Sequence, residues 1–417
     1  MSFEEAVQYL LSLGHETLTI KLGLRNTELL LQSLDNPERA FQAVQIAGTN
    51  GKGSTAVMLD SICRAAGMKT GLYTSPHLVS ITERIRIAGE QISEDNFARH
   101  TATVRDASYR LLATEQLDAL PTFFEQVTAI ALLAFREAGI ELAILETGMG
   151  GRLDSTTAAR AGIVAITPIA MDHEQYLGQT IESIASEKAA VIRPGVKAII
   201  ASQPPEALSV LLRRCEETGV QPILNDSAPE IVGVTPDGRY CVPNICVGLR
   251  GKHQIENAML AVRVAETLSI SSDAIATGIE TAHHPGRLEL IATEPAVLLD
   301  GAHNPAGAEA LREYLNQFAP RPLTLVFGAM IDKQLSRIGA ILFPLADKLI
   351  LTTIDNPRAA SLEILEQVAT QFARGSVAKF QTSAEAFEAA LRITPAQCMI
   401  CVTGSLYLIG EWKKQHE

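Results

Sequence analysis

Alternating apolar runs and amphipathic stretches mark this 417-residue chain as an α/β protein, with a larger N-terminal parallel-sheet domain and a smaller C-terminal α/β domain. Three observations predict this. Runs rich in Val, Ile and Leu recur at strand length, and helical patterns separate them. At His283-His284-Pro285-Gly286-Arg287, proline and glycine interrupt the pattern and a fresh series begins. The chain is also too long for one simple core.

In chain order, the first half offers strands over residues 43–47, 70–74, 142–146, 163–167 and 197–201. The second half offers 296–300, 323–327, 348–352 and 399–403. Helices are predicted over 55–66, 123–137, 255–268, 306–317 and 384–392. The expected domains are 1–285 and 286–417. The stretch 226–249 has a weaker helical pattern and more turn residues, and is expected to form a small β insertion in the first domain.

Hydrophobic residues make up 47% of the chain and charged residues 20%, the balance of a soluble globular protein. A net charge of −12 argues against general nucleic-acid binding, which needs a basic footprint. The acidic start Met1-Ser2-Phe3-Glu4-Glu5 has no apolar signal region, and no apolar stretch is long enough to cross a bilayer. Six scattered cysteines fit reduced thiols and a cytoplasmic location. Cys398 and Cys401 have CxxC spacing, yet they sit in an apolar run that reads as a buried strand rather than a metal or redox site. The chain is expected to act as a monomer.

The polar ends of the strands carry the unusual residues. Ligands of open α/β sheets bind outside the carboxyl ends of strands, so each domain is expected to present one functional rim. The first rim holds Gly48-Thr49-Asn50-Gly51-Lys52-Gly53-Ser54 between a strand and a helix. Glycines let backbone N–H groups approach a phosphate, a lysine neutralises the outer phosphates and a hydroxyl reaches Mg²⁺. The match to the P-loop pattern departs twice: Ile46 replaces the first glycine, and Gly53 follows the lysine, so Ser54 or Thr55 must supply the hydroxyl. A plain glycine-rich turn is the alternative. Lys52 counts against it, because a cation at a helix N-terminus opposes the dipole unless an anion binds there. The reading is therefore a P-loop nucleotide-binding domain followed by a Rossmann-like one, with ATP and Mg²⁺ as ligands.

Glu146 ends a strand before Thr147-Gly148-Met149-Gly150-Gly151-Arg152, a natural place for a Mg²⁺ oxygen ligand; the alternative is a solvated loop acid. His173 follows Asp172 on the same rim, and Ser75 precedes Pro76-His77. Alone, His173 reads as structural and Ser75 as a turn residue. Lys188 reads on composition as a solvated helix lysine. Arg287 and Asp300 could face nucleotide, or be surface charges near a boundary.

These motifs in this order resemble folylpolyglutamate synthase, including its bifunctional dihydrofolate synthase form, within the Mur ligase superfamily. The stretches that carry the resemblance begin with 47–54, Thr74-Ser75-Pro76-His77-Leu78, Glu83-Arg84-Ile85-Arg86-Ile87, Thr122-Phe123-Phe124-Glu125 and Glu146 to Asp154. They continue with Asp172-His173, Glu187-Lys188-Ala189, 283–287, Asp300-Gly301-Ala302-His303-Asn304-Pro305 and Thr403-Gly404-Ser405-Leu406-Tyr407. The resemblance implies that Thr49, Asn50, Gly51, Lys52, Gly53 and Ser54 bind ATP phosphates, and that Ser75, Glu146 and His173 bind Mg²⁺. It implies that Lys188 is carbamylated and that Asn257, Arg287 and Asp300 contact nucleotide. His303 and Ser405 lie on motifs tied to glutamate handling and activity, with Lys188 and Asp300 beside them in the catalytic set. Thr122, Phe123, Phe124, Glu125 and Asp154 match segments that hold the pterin. Lys21 stands where bifunctional members carry an acidic residue.

The implied reaction belongs to folate biosynthesis and one-carbon metabolism. ATP phosphorylates a folate or dihydropteroate carboxylate, and the amine of L-glutamate displaces phosphate. One domain grips ATP and the acid, the other delivers glutamate, and closure excludes water. The competing readings are a Mur-type ligase acting on another carboxylate, a P-loop kinase that stops at phosphoryl transfer, and a P-loop ATPase without ligase activity.

Overall fold

The computed structural model describes residues 1–14, 23–225 and 229–416. Lys21 lies outside them. Two compact units emerge, one of residues 1–227 and 257–281, the other of 228–256 and 282–417.

In the first unit the strands are β1 (Gln42–Ala47), β2 (Thr70–Tyr73), β3 (Ile85–Ile87), β4 (Glu90–Gln91), β5 (Leu142–Glu146), β6 (Ile163–Ile166), β7 (Lys197–Ala201) and β8 (Ile223–Asn225). They form one sheet in the order β4-β3-β2-β5-β1-β6-β7-β8. The pairs from β2 to β8 are parallel, whereas β3 and β4 add an antiparallel edge. The chain passes from β1 to one side and returns across it to β6, so β1 stands at the topological switch point. Its run Gln-Ala-Val-Gln-Ile-Ala is buried after the first residue, as a strand covered on both faces must be.

Side-chain caps set the helix starts around this sheet. Thr122 and Glu125 exchange hydrogen bonds in a capping box ahead of the helix Phe123–Ala138. Thr180 caps the helix Ile181–Ala189, which carries Lys188. One apolar core gathers Tyr73, Phe97, Ile130, Phe135 and Leu145; another packs Val164, Ile184 and Ile192 on the sheet.

In the second unit β9 (Gly233–Val234), β10 (Arg239–Val242) and β11 (Ile245–Arg250) form a small antiparallel sheet. The β insertion expected for 226–249 thus exists, but it packs with the second unit, not the first. Tyr314 Oη donates to the Asp237 carbonyl (3.0 Å), and Tyr240 Oη donates to Gln317 (2.8 Å), which ties this sheet to the helix Pro305–Phe318. Cys241 and Cys246 face each other across the β10–β11 hairpin and are joined as a disulfide. That departs from the expectation of reduced thiols for this pair, since the hairpin register sets Cys241 directly opposite Cys246. The other four cysteines are free and buried, Cys398 and Cys401 among them, as the strand reading expected.

The main sheet of this unit comprises β12 (Glu289–Thr293), β13 (Ala296–Asp300), β14 (Leu323–Phe327), β15 (Lys348–Thr352), β16 (Ser376–Phe380) and β17 (Met399–Thr403), in the order β12-β13-β17-β14-β15-β16. All its pairs are parallel except β12 with β13. The interior strands match the predicted ones within a residue. Among the described residues, no helix is long and apolar enough to cross a membrane.

Candidate active site

On the first unit the loop after β1 leads into the helix Lys52–Ala65, whose N-cap Gly51 offers no side-chain bond and whose first turn holds no acid. The N–H groups of that turn need acceptors, and the positive end of the helix dipole favours an anion. The loop is shaped by its neighbours. Thr49 and Asn50 donate their backbone N–H groups to the Pro168 carbonyl (3.1 and 3.3 Å). Thr49 Oγ1 donates to the Ala170 carbonyl and accepts from the Ala170 N–H, both at 3.0 Å. Gly51 sits at φ 87°, and a β-carbon there would overlap the side-chain oxygen of Asn257. Only glycine meets both constraints. Thr55 Oγ1 reaches the Asn257 carbonyl at 3.5 Å, so the helix His253–Thr267 backs the loop through Asn257. Lys52 Nζ donates to the Thr49 carbonyl (3.1 Å), which curls its ammonium over the loop.

Lys188 is the main surprise of this rim. It is 4% exposed, where composition had read it as solvated, because its helix packs against the sheet beneath the loop. Its Nζ donates to the Gly48 carbonyl at 2.7 Å. Burial, with Lys52 nearby, pulls its ammonium down to about 7, while Asp172 and Asp154 oppose the shift. An amine with that pKa is about three-quarters neutral at pH 7.5, against roughly one part in a thousand for an ordinary lysine.

Glu146 ends β5 level with Ile46 of β1 and is 6% exposed, not a solvated loop acid. The Ser75 N–H donates to Glu146 Oε2 (3.1 Å), so these two rim residues meet. His173 has φ 51° and takes its place beside Asp172, whose Oδ1 accepts the His173 N–H (2.9 Å). Asp154 is 6% exposed and its two oxygens accept four hydrogen bonds. Oδ2 takes Gly148 N (2.9 Å) and Met149 N (3.0 Å); Oδ1 takes Thr156 N (3.0 Å) and Thr156 Oγ1 (2.5 Å). It thereby fixes the loop after Glu146. Burial raises its carboxyl above the usual range against those bonds. Phe124 packs on Gly148, and the ring of Phe123 lies 5.3 Å from the guanidinium of Arg84.

The second unit has its own rim at the ends of β13, β17 and β14, where Asp300 and Phe327 both align with Thr403. Asp300, 8% exposed, accepts Leu288 N at Oδ2 (2.9 Å) and Ala302 N at Oδ1 (3.0 Å). Burial raises its carboxyl, and Arg287 is the main counterweight. Arg287 Nη1 donates to the Gly301 carbonyl (3.3 Å), which the His303 Nδ1 also approaches at 2.8 Å. Ser405, 3% exposed, accepts the Tyr407 N–H (3.2 Å) at the start of the last helix.

Known proteins match this chain over both units. The chain matches the Mur ligase middle domain over residues 46–265 and the Mur ligase glutamate ligase domain over 286–406. The dihydrofolate synthase/folylpolyglutamate synthase of Bacillus subtilis is 34% identical, with 96% of both chains covered. The chain belongs to the folylpolyglutamate synthase/dihydrofolate synthase family. A Halobacterium salinarum relative, a probable bifunctional folylpolyglutamate synthase/dihydropteroate synthase, is 35% identical over 99% of this chain but only 51% of its own length, so the chain spans about half of such relatives. A Mycobacterium tuberculosis folylpolyglutamate synthase complexed with ADP superposes with a TM-score of 0.92 at 31% identity, covering 99% of this chain and 98% of that one. A bifunctional enzyme from Yersinia pestis complexed with AMPPNP and a Mn ion gives 0.83 at 30% identity, covering 100% and 98%.

Within this family frame, the expected ligands divide by unit. The loop 49–54, Ser75, Thr122 to Glu125, Glu146, Asp154, His173, Lys188 and Asn257 lie on the first; Arg287, Asp300, His303 and Ser405 lie on the second. The donor chemistry fits Mg²⁺. Ser75 and Glu146, which meet, offer a hydroxyl and a carboxylate, the oxygen donors Mg²⁺ commonly takes beside phosphate oxygens, whereas His173 would add an imidazole nitrogen. Among the described residues, no group of three or more His, Cys, Asp or Glu is placed to hold a metal ion.

Sequence reading missed three features of these rims. His253 opens the helix that carries Asn257, and burial with Arg287 nearby lowers its imidazole to about 4. The loops after β14 and β15 are stitched together by Ile331 N to the Arg358 carbonyl (2.8 Å) and by an Asp332–Arg358 ion pair at 3.7 Å. Glu83 accepts the N–H groups of Leu78, Val79 and Ser80, and Arg84 Nε donates to His77 Nδ1. The Asp355-Asn356-Pro357-Arg358 run, lying just past a predicted strand end, was the available signal for the second feature.

Proposed function

We propose that this chain joins L-glutamate to a folate-type acid at the expense of ATP, through an acyl phosphate. The observation that carries the reading is the uncapped phosphate loop with Lys188 buried beneath it, on a chain whose other unit matches the glutamate ligase domain. A kinase or a simple ATPase has no need of that second unit.

A free carboxylate is a poor electrophile. The acid's carboxylate oxygen takes the γ-phosphoryl group, ADP leaves, and the neutral amine of glutamate attacks the acyl carbon to expel phosphate. Within the loop, the first-turn N–H groups and the Lys52 ammonium hold the phosphates and steady the charge that moves between them. Ser75, Glu146 and His173 would hold Mg²⁺, which would supply further charge neutralisation on the outer phosphates. Lys188, about half neutral at pH 7, can add CO₂ through its uncharged amine and release a proton, which leaves a carbamate anion. Asp154 keeps the Gly148–Met149 loop in place next to Phe124. Asn257 backs Gly51, while Arg287, Asp300, His303 and Ser405 form the rim assigned to nucleotide and glutamate. A cytoplasmic monomer is the matching physiological form.

The deciding assay measures ADP release by purified protein with Mg²⁺, ATP and L-glutamate, using tetrahydrofolate and dihydropteroate as separate acids. Release is expected only when an acid and glutamate are both present. Turnover that ignores glutamate would leave a kinase or ATPase.

A further inference from the structure

The motif Glu83-Arg84-Ile85-Arg86-Ile87 has no part in the chemistry above, yet its first two residues hold the loop that carries Ser75. Glu83 Oε1 accepts the N–H groups of Val79 (2.8 Å) and Ser80 (2.7 Å), and its Oε2 accepts that of Leu78 (2.8 Å). Three consecutive backbone donors thus end on one carboxylate. Arg84 is 2% exposed, a depth at which a guanidinium is rare without specific partners. Its Nε donates to His77 Nδ1 (2.8 Å), its carbonyl accepts the Thr74 N–H (3.0 Å), and its guanidinium lies over the Phe123 ring. Bonds from these two residues therefore reach Thr74, His77, Leu78, Val79 and Ser80, on both sides of Ser75. On its far side Ser75 meets Glu146. Arg84 also touches the start of the helix that carries Phe123, Phe124 and Glu125.

We propose that Glu83 and Arg84 are positioning residues that hold the Ser75 loop at a set distance from Glu146 and from the Phe123–Phe124 segment. The metal side and the acid-substrate side of the site then share one brace. Neither residue needs to touch a ligand. A carboxylate is required at 83 because a glutamine would turn an amide NH₂ toward at least one backbone donor. A guanidinium is required at 84 because a lysine lacks the flat face and the fixed Nε–H. The inference rests on the ligase reading for its substrates, but its metal half can be measured without turnover.

The test uses the full chain with Glu83→Gln, Arg84→Lys and Arg84→Met. Mn²⁺ affinity in the ADP complex is read by electron paramagnetic resonance, and ADP affinity without metal by calorimetry. Steady-state assays give KM and kcat for the acid. A direct hydrogen-bond partner of a metal ligand commonly changes affinity by roughly 10–100-fold; Glu83 and Arg84 act through the neighbours of Ser75, so the lower end of that range applies. Each variant is expected to weaken Mn²⁺ binding and to raise the acid's KM by about tenfold or more. ADP affinity without metal and kcat at saturation should stay within about threefold of the parent. If Arg84→Met does not fold, Glu83→Gln and Arg84→Lys decide. Unchanged Mn²⁺ affinity and acid KM in folded variants, or loss of unfolding stability alone, would overturn the brace. A parent chain that binds Mn²⁺ with ADP but releases no ADP with acid and glutamate would instead remove the ligase reading and leave the metal half of the brace standing.

Discussion

Replacing Lys188 by Met tests the buried amine directly. In the folded chain burial brings Lys188 down to about 7 from 10.5; in the unfolded chain it returns to its ordinary value. Between those two pH values the unfolded state binds the extra proton, so the lysine's contribution to stability improves as pH rises. Below about pH 7 both states are protonated, and the full penalty of burying the ammonium applies, on the order of 5 kcal/mol for a depression of that size. Methionine of similar length carries no such penalty, but it leaves the Gly48 carbonyl without the 2.7 Å bond, which costs about 1–3 kcal/mol. In CO₂-free buffer, Lys188→Met should therefore unfold at higher urea than the parent at pH 6.5. The order should reverse near pH 10. Activity should be lost throughout. Urea melts of both chains across this range check the claim; a stability difference that does not vary with pH would refute the buried-amine reasoning.

If the neutral amine takes up CO₂, prolonged dialysis in CO₂-free buffer should lower activity, and bicarbonate should restore it within the same sample. Gly51→Ala should abolish measurable ADP binding by calorimetry, since the new β-carbon meets Asn257 at φ 87°. Gly139→Ala, at φ 61° with open space around it, should cost only about 1 kcal/mol in a urea melt and leave ADP binding intact. Lys413→Met should cost about 3–5 kcal/mol, because it strands Glu289 in a buried 3.0 Å ion pair; adding Glu289→Gln should recover part of the loss in the same melts. EDTA should stop ADP release, and Mg²⁺ or Mn²⁺ should restore it.

How much was legible in advance follows from the physics of each element. The interior strands β1, β2, β5, β6, β7, β13, β14, β15 and β17 were readable within a residue, since burial on both faces demands an unbroken apolar run. The outer strands β3, β4, β8, β12 and β16 were not. They lie toward or at the edges of their sheets, and β16 is largely exposed, so the apolar signal is weak. The strip 226–249 showed its strand character but not its allegiance, because packing against the helix Pro305–Phe318 is decided by contacts remote in sequence.

The sequence by itself determined the order of the interior strands, the glycine-rich loop between β1 and its helix, and the family to which the motifs belong. Those are properties of local pattern and spacing. Only the tertiary structure decided that Lys188 lies buried under Gly48, that Asn257 makes glycine obligatory at 51, that Asp154 serves a loop through four hydrogen bonds, and that Glu83 and Arg84 brace Ser75. Each depends on which distant residue fills the space beside a side chain. Burial, and with it the charge state of a lysine or the need for a glycine, arises only when the chain closes on itself.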